Sequence, residues 1–296
     1  MNILLWLRRQ FWQYRLWVSL SLGMVALLTV LMTPAQAGQA QISPSNPQLG
    51  DTLTVVVPAD SNGAAPAIVM NQKTYTAFPT SGNRYRALLP TTPLDKPGRL
   101  EVQVKSGDNT QNLAVQLRDR TFPTQSIWLG EGGGPEGTDH EFDRVDAFKA
   151  LVTPEKYWSG ALKRPASGAV TSIYGVRRYY NGVFANDYYH RGVDYAGGVG
   201  APVYAPAAGR VALVGRVADG FEIHGNTVGI DHGQGVSSIM IHLSRIDVQE
   251  GDMVQAGQVI GGIGSTGAST GPHLHWGLYV NGASVDPVPW REVGFE

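Results

Sequence analysis

From residue 51 to 119 short apolar runs alternate with turn-forming clusters. DTLTVVVPA (51–59), AIVM (67–70), TYTAF (74–78), RYRALL (84–89), RLEVQVKS (99–106) and QNLAVQLRD (111–119) are strand-length and mostly rich in β-branched or aromatic residues. Leu100, Val102 and Val104 alternate with Glu101, Gln103 and Lys105. A strand with that pattern buries one face and wets the other. The turns come from Ser-Asn-Gly (61–63), Ser-Gly-Asn (81–83), Lys-Pro-Gly (96–98) and Gly-Asp-Asn (107–109). This pattern predicts a small immunoglobulin-like β-sandwich over 39–118, without the Cys…Trp…Cys signature of antibody domains.

Residues 119–160 read as a connector. GEGGGPEGTDHEFDR (130–144) is glycine-rich and acidic and reads as a surface loop. DAFKALVTPEKYW (146–158) predicts one short helix, stopped near Pro154. His140 lies among Asp139, Glu141 and Asp143; a metal clip is conceivable there, and a solvated acidic loop is the simpler reading. Strand-like runs return in the third part, 161–296: GRVALVG (209–215), NTVGIDH (226–232), VSSIMIH (236–242), GQVIGGIG (257–264) and LHWGLYVNG (274–282). Helical periodicity is almost missing, so the predicted class is all-β.

The N-terminus is patterned differently. Residues 1–15 carry Arg8, Arg9 and Arg15 and no acid, residues 16–33 carry no charge, and PAQA (34–37) follows. Basic, then apolar, then A-x-A is the order of a secretory signal, with cleavage expected after Ala37. If retained, the run 16–33 would be a membrane tether, since it is at the border of bilayer-spanning length. Both readings export the rest of the chain, to the periplasm or cell envelope.

Charge and composition then remove whole classes. The 296 residues carry a formal charge of −1; without 1–37 there are 20 basic and 24 acidic residues, a charge of −4. With no global positive field, nucleic acid is not expected as a partner. Cysteine is absent, which excludes a disulfide scaffold, a thiolate metal site, a cysteine nucleophile and a lipoprotein anchor.

What chemistry there is lies in histidine. Six of the seven histidines fall in 161–296, among them His190-Arg-Gly-Val-Asp194 and His273-Leu-His275. Residues two apart on a strand share a face, so His273 and His275 point together. His190 and Asp194 can reach that face, the more so if Gly192 bends the chain. Two imidazoles and a carboxylate can hold a catalytic zinc with a position left for water. His242, closing the VSSIMIH run, is a candidate proton carrier. Spacing alone leaves open which histidines bind metal.

GPHLH (271–275) preceded by GSTGAST (264–270), HRGVD (190–194) followed by APVYAPAAGRV (201–211), and GNTVGIDHGQGVSSIMIHLSRI (225–246) occur in an order that resembles the M23 family. These are the LytM- or lysostaphin-type, β-lytic zinc metallopeptidases. The resemblance covers about 160–290 of the chain. It implies an open, mostly antiparallel β-sheet crossed by a groove. It also implies His190, Asp194 and His275 as Zn2+ ligands, with His242 and His273 as non-ligand catalytic histidines. Such enzymes cut peptide bonds of peptidoglycan. Relatives that instead activate an amidase typically lack some of these five positions, all of which are present here. A non-hydrolytic envelope regulator and an extracellular protease acting on proteins are the alternatives.

The resemblance frames several further expectations. Met240 stands where the family commonly has tyrosine; on a regular strand it would share a face with His242 and alter the groove wall. Asn181 lies where relatives often place an asparagine near the metal. The aromatics of RRYYNGVFANDYYH (177–190) could line the groove or pack beneath it. His232 is expected to structure a turn, and His224 to lie on an exposed loop. Gly264, Gly267 and Gly271 are expected to allow tight turns ahead of the HLH pair. The N-terminal part is expected to dock on an envelope protein or shield the groove.

Overall fold

β-branched runs that alternate in polarity gain most by pairing edge to edge over a shared apolar layer, and the N-terminal part does so twice. In this computed structural model, which describes residues 39–60, 63–130 and 135–295, one antiparallel sheet orders Gln41–Ser43, Thr52–Pro58, Arg84–Pro90 and Phe78–Thr80. The other orders Lys73–Tyr75, Ala67–Met70, Gly98–Ser106 and Asn109–Leu117. Leu53, Val55 and Leu89 from the first sheet and Ile68, Val102, Val104 and Leu117 from the second form one core. The TYTAF run divides: Tyr75 ends a strand of one sheet and Phe78 opens a strand of the other. A chain that changes sheets at a bend does this. The segments 1–37 and 16–33 lie outside the described residues.

The connector departs from expectation. Its helix runs Asp139–Lys149, so DHEFDR is helical and is not a surface loop. Thr138 is the reason. Its hydroxyl oxygen accepts the Glu141 N–H at 3.1 Å, and Asp139 and Glu141 occupy the first turn, where negative charge complements the positive end of the helix dipole. The helix buries Val145 and Phe148 against Leu213, Ile239 and Tyr279. His140 makes an edge contact with Phe221.

The third part is built on an eight-stranded sheet. Its order is Val170–Ser172, Val193–Ala196, His273–Val280, Val236–Leu243, Asn226–Gly233, Gly209–Gly215 and Met253–Val254, with Ala283–Val285 also beside His273–Val280. Neighbouring strands are antiparallel throughout. Alternation along His273–Val280 sends Leu274, Trp276, Leu278 and Val280 into the main core with Met240. Tyr279 goes to the opposite face, under the connector helix. His273 and His275 share that second face, toward the other end of the strand. A short second α-helix, Pro287–Glu292, follows, so the fold is largely β with two α-helices among the described residues.

Trp290 joins the N- and C-terminal parts. It is fully buried, donates Nε1–H to Thr52 Oγ1 at 3.0 Å and stacks on Phe295 at 4.2 Å. Arg86, also buried, donates to Gln234 Oε1 at 2.5 Å and to Phe295 O at 3.1 Å. Trp290→Ala is expected to lower stability by about 3–5 kcal/mol, read from urea unfolding. A loss under about 1 kcal/mol would mean that Trp290 does not tie the two parts together.

Candidate functional site

Antiparallel register sets the centre of the site. Asp194 is paired directly with His275 across the strands Val193–Ala196 and His273–Val280. His190 arrives from the loop just ahead. His190 Nε2 is 3.0 Å from Asp194 Oδ1 and 3.0 Å from His275 Nδ1; His275 Nδ1 is 2.9 Å from Asp194 Oδ1. His190 Nδ1 donates to the Ile173 carbonyl at 2.8 Å. A carbonyl only accepts, so that nitrogen carries the proton and Nε2 turns a lone pair inward. The second His190 nitrogen is thereby oriented as metal-binding histidines usually are.

The donor set fits a metal ion. Two imidazole nitrogens and a carboxylate oxygen lie mutually about 3 Å apart. Donors 2.0–2.1 Å from a tetrahedral centre would stand about 3.3 Å from one another. Three protein ligands also leave a position for water or substrate.

Gly192 makes this approach possible. A Cβ there would sit 2.3 Å from the Trp276 carbonyl oxygen and 2.8 Å from His275 Nε2. Backbone cannot yield by that much, so the HRGVD loop reaches the strand carrying His275 only with glycine at 192.

His242 reaches the site by a distortion. Strict alternation would send its ring to the Met240 side. Instead His242 has φ +65°, and the ladder with Asn226–Gly233 slips between Asn226 and Val228. This bulge turns the ring toward the metal-ligand face. The His242 ring lies 4.9 Å from that of His273 and 6.4 Å from that of His275, centroid to centroid. Its Nδ1 donates to Thr266 O at 2.8 Å. His273 Nδ1 donates likewise to Gly271 O at 2.8 Å, and its Nε2 stands 3.9 Å from Asp194 Oδ1. Both histidines therefore carry a proton on Nδ1 and turn Nε2 away from these carbonyls. Met240 is fully buried in the main core and does not line a groove wall beside His242; the bulge separates the two faces.

Residues 188–287 match the family model of Peptidase family M23. Over 99 residues the chain is 46% identical to the DD-carboxypeptidase/endopeptidase Mpg of Neisseria meningitidis, taking in 33% of this chain and 22% of that protein. Lysostaphin of Staphylococcus simulans is 40% identical over 122 residues, 40% of this chain and 24% of that protein. A crystal structure from Pseudomonas aeruginosa assigned to peptidase M23 superposes with a TM-score of 0.63 at 28% identity, covering 86% of this chain and 97% of that one. Residues 188–287 have the M23-family zinc metallopeptidase fold. The match spans about a quarter or less of the length of the two curated relatives named.

Burial and charge tune the M23 site. Burial alone would raise the Asp194 carboxyl, but its close contacts with the His190 and His275 imidazoles outweigh burial and hold the group well below the usual carboxylate range. Burial lowers His275 to about 4, against the opposing pull of Asp194. It lowers His242 to about 3, helped by the neighbouring His275 and His273. Both are neutral at pH 7, and so able to offer a lone pair.

Other expected residues find definite places in the M23 domain. His232 is fully buried, donating Nδ1–H to Ala208 O at 2.8 Å while Nε2 accepts from Ser238 Oγ at 2.9 Å. His224 is not on an exposed loop: its Nδ1 lies 2.6 Å from Glu141 Oε1, with its side chain 19% exposed. Asn181 turns its carboxamide oxygen to the Leu129 N–H at 2.7 Å. Tyr189 is buried, its ring edge-on to that of Tyr174. Gly264 and Gly267 sit in close backbone contact with Ser244 and Gly225, whereas nothing crowds Gly271.

Sequence reasoning missed Glu141. It is fully buried, and its signal was the T-x-x-E spacing of a helix start hidden in an acidic run.

Gly192→Ala is expected to weaken metal binding about 10- to 100-fold, measured by competition with a chromogenic chelator. Unchanged affinity would contradict the close packing of the HRGVD loop on His275.

Proposed function

We propose that this protein is a zinc endopeptidase that hydrolyses peptide cross-links of peptidoglycan during cell-wall remodelling. One observation carries the reading: the donor atoms of His190, Asp194 and His275 converge, and His242 and His273 stand beside them with each Nδ1–H held by a backbone carbonyl. The DD-carboxypeptidase/endopeptidase name of the Neisseria relative supports it.

In this reading His190, Asp194 and His275 are the metal ligands. Bound zinc supplies a polarised scissile carbonyl and a water acidified toward neutrality. The chain supplies the rest. Asp194 stays ionised and brings negative charge to the ligand set. His242 Nε2 and His273 Nε2 are the atoms able to take the proton from the attacking water and return one to the leaving amine. The Thr266 and Gly271 carbonyls hold each ring in the tautomer this requires. In the same reading residues 1–37 export the chain, or tether it to the membrane through 16–33. Residues 39–118 form an immunoglobulin-like module joined by 119–160 to the catalytic domain 161–296. That module docks on an envelope partner or shields the groove.

The test is mass spectrometry of muropeptides after incubation of zinc-loaded protein with purified peptidoglycan. Wild type is expected to deplete cross-linked species. His275→Ala is expected to lose zinc and hydrolysis together. His242→Ala is expected to keep zinc and to turn over at least about 100-fold more slowly. Wild-type turnover in His242→Ala would overturn the role given to that residue. Intact muropeptides with zinc-loaded wild type would favour the non-hydrolytic amidase regulator.

A further inference from the structure

Glu141 is a buried carboxylate that belongs to no ion pair with lysine or arginine among those seen in the described residues, and it lies outside the segment 188–287 that matches the M23 family. Four N–H groups converge on it. Glu222 N–H donates at 3.0 Å, Ile223 N–H at 3.1 Å, and His224 donates from both its backbone N and its Nδ1 at 2.6 Å. Burial raises the Glu141 carboxyl, but these donors together hold it below its ordinary value. Thr138, which caps the same helix, adds a bond from its hydroxyl to Gly220 O at 2.8 Å. The first turn of the connector helix thus grips the backbone of 220–224.

The other side of that backbone faces the site. The His224 carbonyl accepts the His242 N–H at 2.9 Å, and the Ile223 carbonyl accepts the Ala268 N–H at 2.9 Å. Thr266, two residues before Ala268, takes the Asn226 N–H on its hydroxyl at 3.0 Å and the His242 Nδ1–H on its carbonyl at 2.8 Å. His242 is therefore suspended from the 222–226 loop twice: once by its main chain, once by its ring through the 266–268 turn. It needs such support, because a non-glycine residue at positive φ persists only where its surroundings over-determine it.

We propose that Glu141 is a positioning residue for His242, setting the main chain and ring of that histidine through the 222–224 backbone. The proposal rests on the reading of His242 as a catalytic group. Its consequence is that the connector completes the active site. Glutamine at 141 would keep one acceptor oxygen, lose the charge and turn its NH2 group against the Glu222 N–H that now donates to Oε2, loosening the grip on the loop.

The test uses the full-length protein loaded with zinc. Glu141→Gln is expected to bind zinc as wild type does, to lower kcat about 10- to 100-fold and to leave KM within about twofold. Glu141→Gln added to His242→Ala is expected to cost nothing more than His242→Ala alone, since the residue acts through His242. Amide hydrogen exchange gives a readout independent of turnover: the His224 and His242 amides should exchange faster in Glu141→Gln, with Ile239 unchanged. That arm decides the positioning even where wild type cuts no peptidoglycan, so failure of the hydrolase reading is distinguishable. Unchanged exchange at His242, unchanged kcat, or additive losses in the double variant would overturn the proposal. If Glu141→Gln does not fold, Thr138→Ala takes its place. A lower kcat and faster His242 exchange at unchanged zinc binding support the proposal, and wild-type values for both overturn it.

Discussion

Three lone-pair atoms held about 3 Å apart are the constraint on which the site depends. Left to themselves, two imidazole nitrogens and a carboxylate oxygen oppose one another, and proximity must be imposed by structure. The imposition is layered. Strand register places Asp194 against His275. The absence of a side chain at Gly192 lets the preceding loop close on that pair. The Ile173 carbonyl fixes the tautomer and rotation of His190. A cation satisfies all three atoms at once, which makes the cluster a metal-binding arrangement.

The same economy governs the second face of the sheet. One part is covered by apolar side chains of the connector helix, Val145 and Phe148, over Ile239 and Tyr279. The other end carries the histidines. A single helix thus packs the core through its middle and holds the 220–224 backbone through its first turn. Backbone carbonyls do comparable service around the ring of histidines: Ile173, Thr266 and Gly271 each hold one Nδ1–H and leave one Nε2 lone pair.

Much of this was legible in the sequence, and the pattern of failures is physical. Runs such as GRVALVG (209–215) and AIVM (67–70) form strands over those same residues, because alternation and β-branching are local properties. HRGVD and HLH pointed to the cluster because strand periodicity alone aligns His273 with His275. The position of His242 was not legible. Its ring turns on a bulge created by pairing with a strand ahead of it in the chain, and the same bulge leaves Met240 in the core. The acidic run at 139–143 looked solvated because its composition is polar. Thr138 makes it a helix, and the partner that buries Glu141 lies some eighty residues away. Contacts at such separation have no signature in local composition.

The central claim is that His190, Asp194 and His275 hold the metal while His242 and His273 do not. Anomalous diffraction at the zinc edge, from crystals grown with zinc, tests it most directly. The account predicts one peak within bonding distance of His190 Nε2, Asp194 Oδ1 and His275 Nδ1, with the rings of His242 and His273 facing it but unbonded. A peak ligated by His242 or His273 in place of one of those three, or zinc bound only elsewhere, would contradict it.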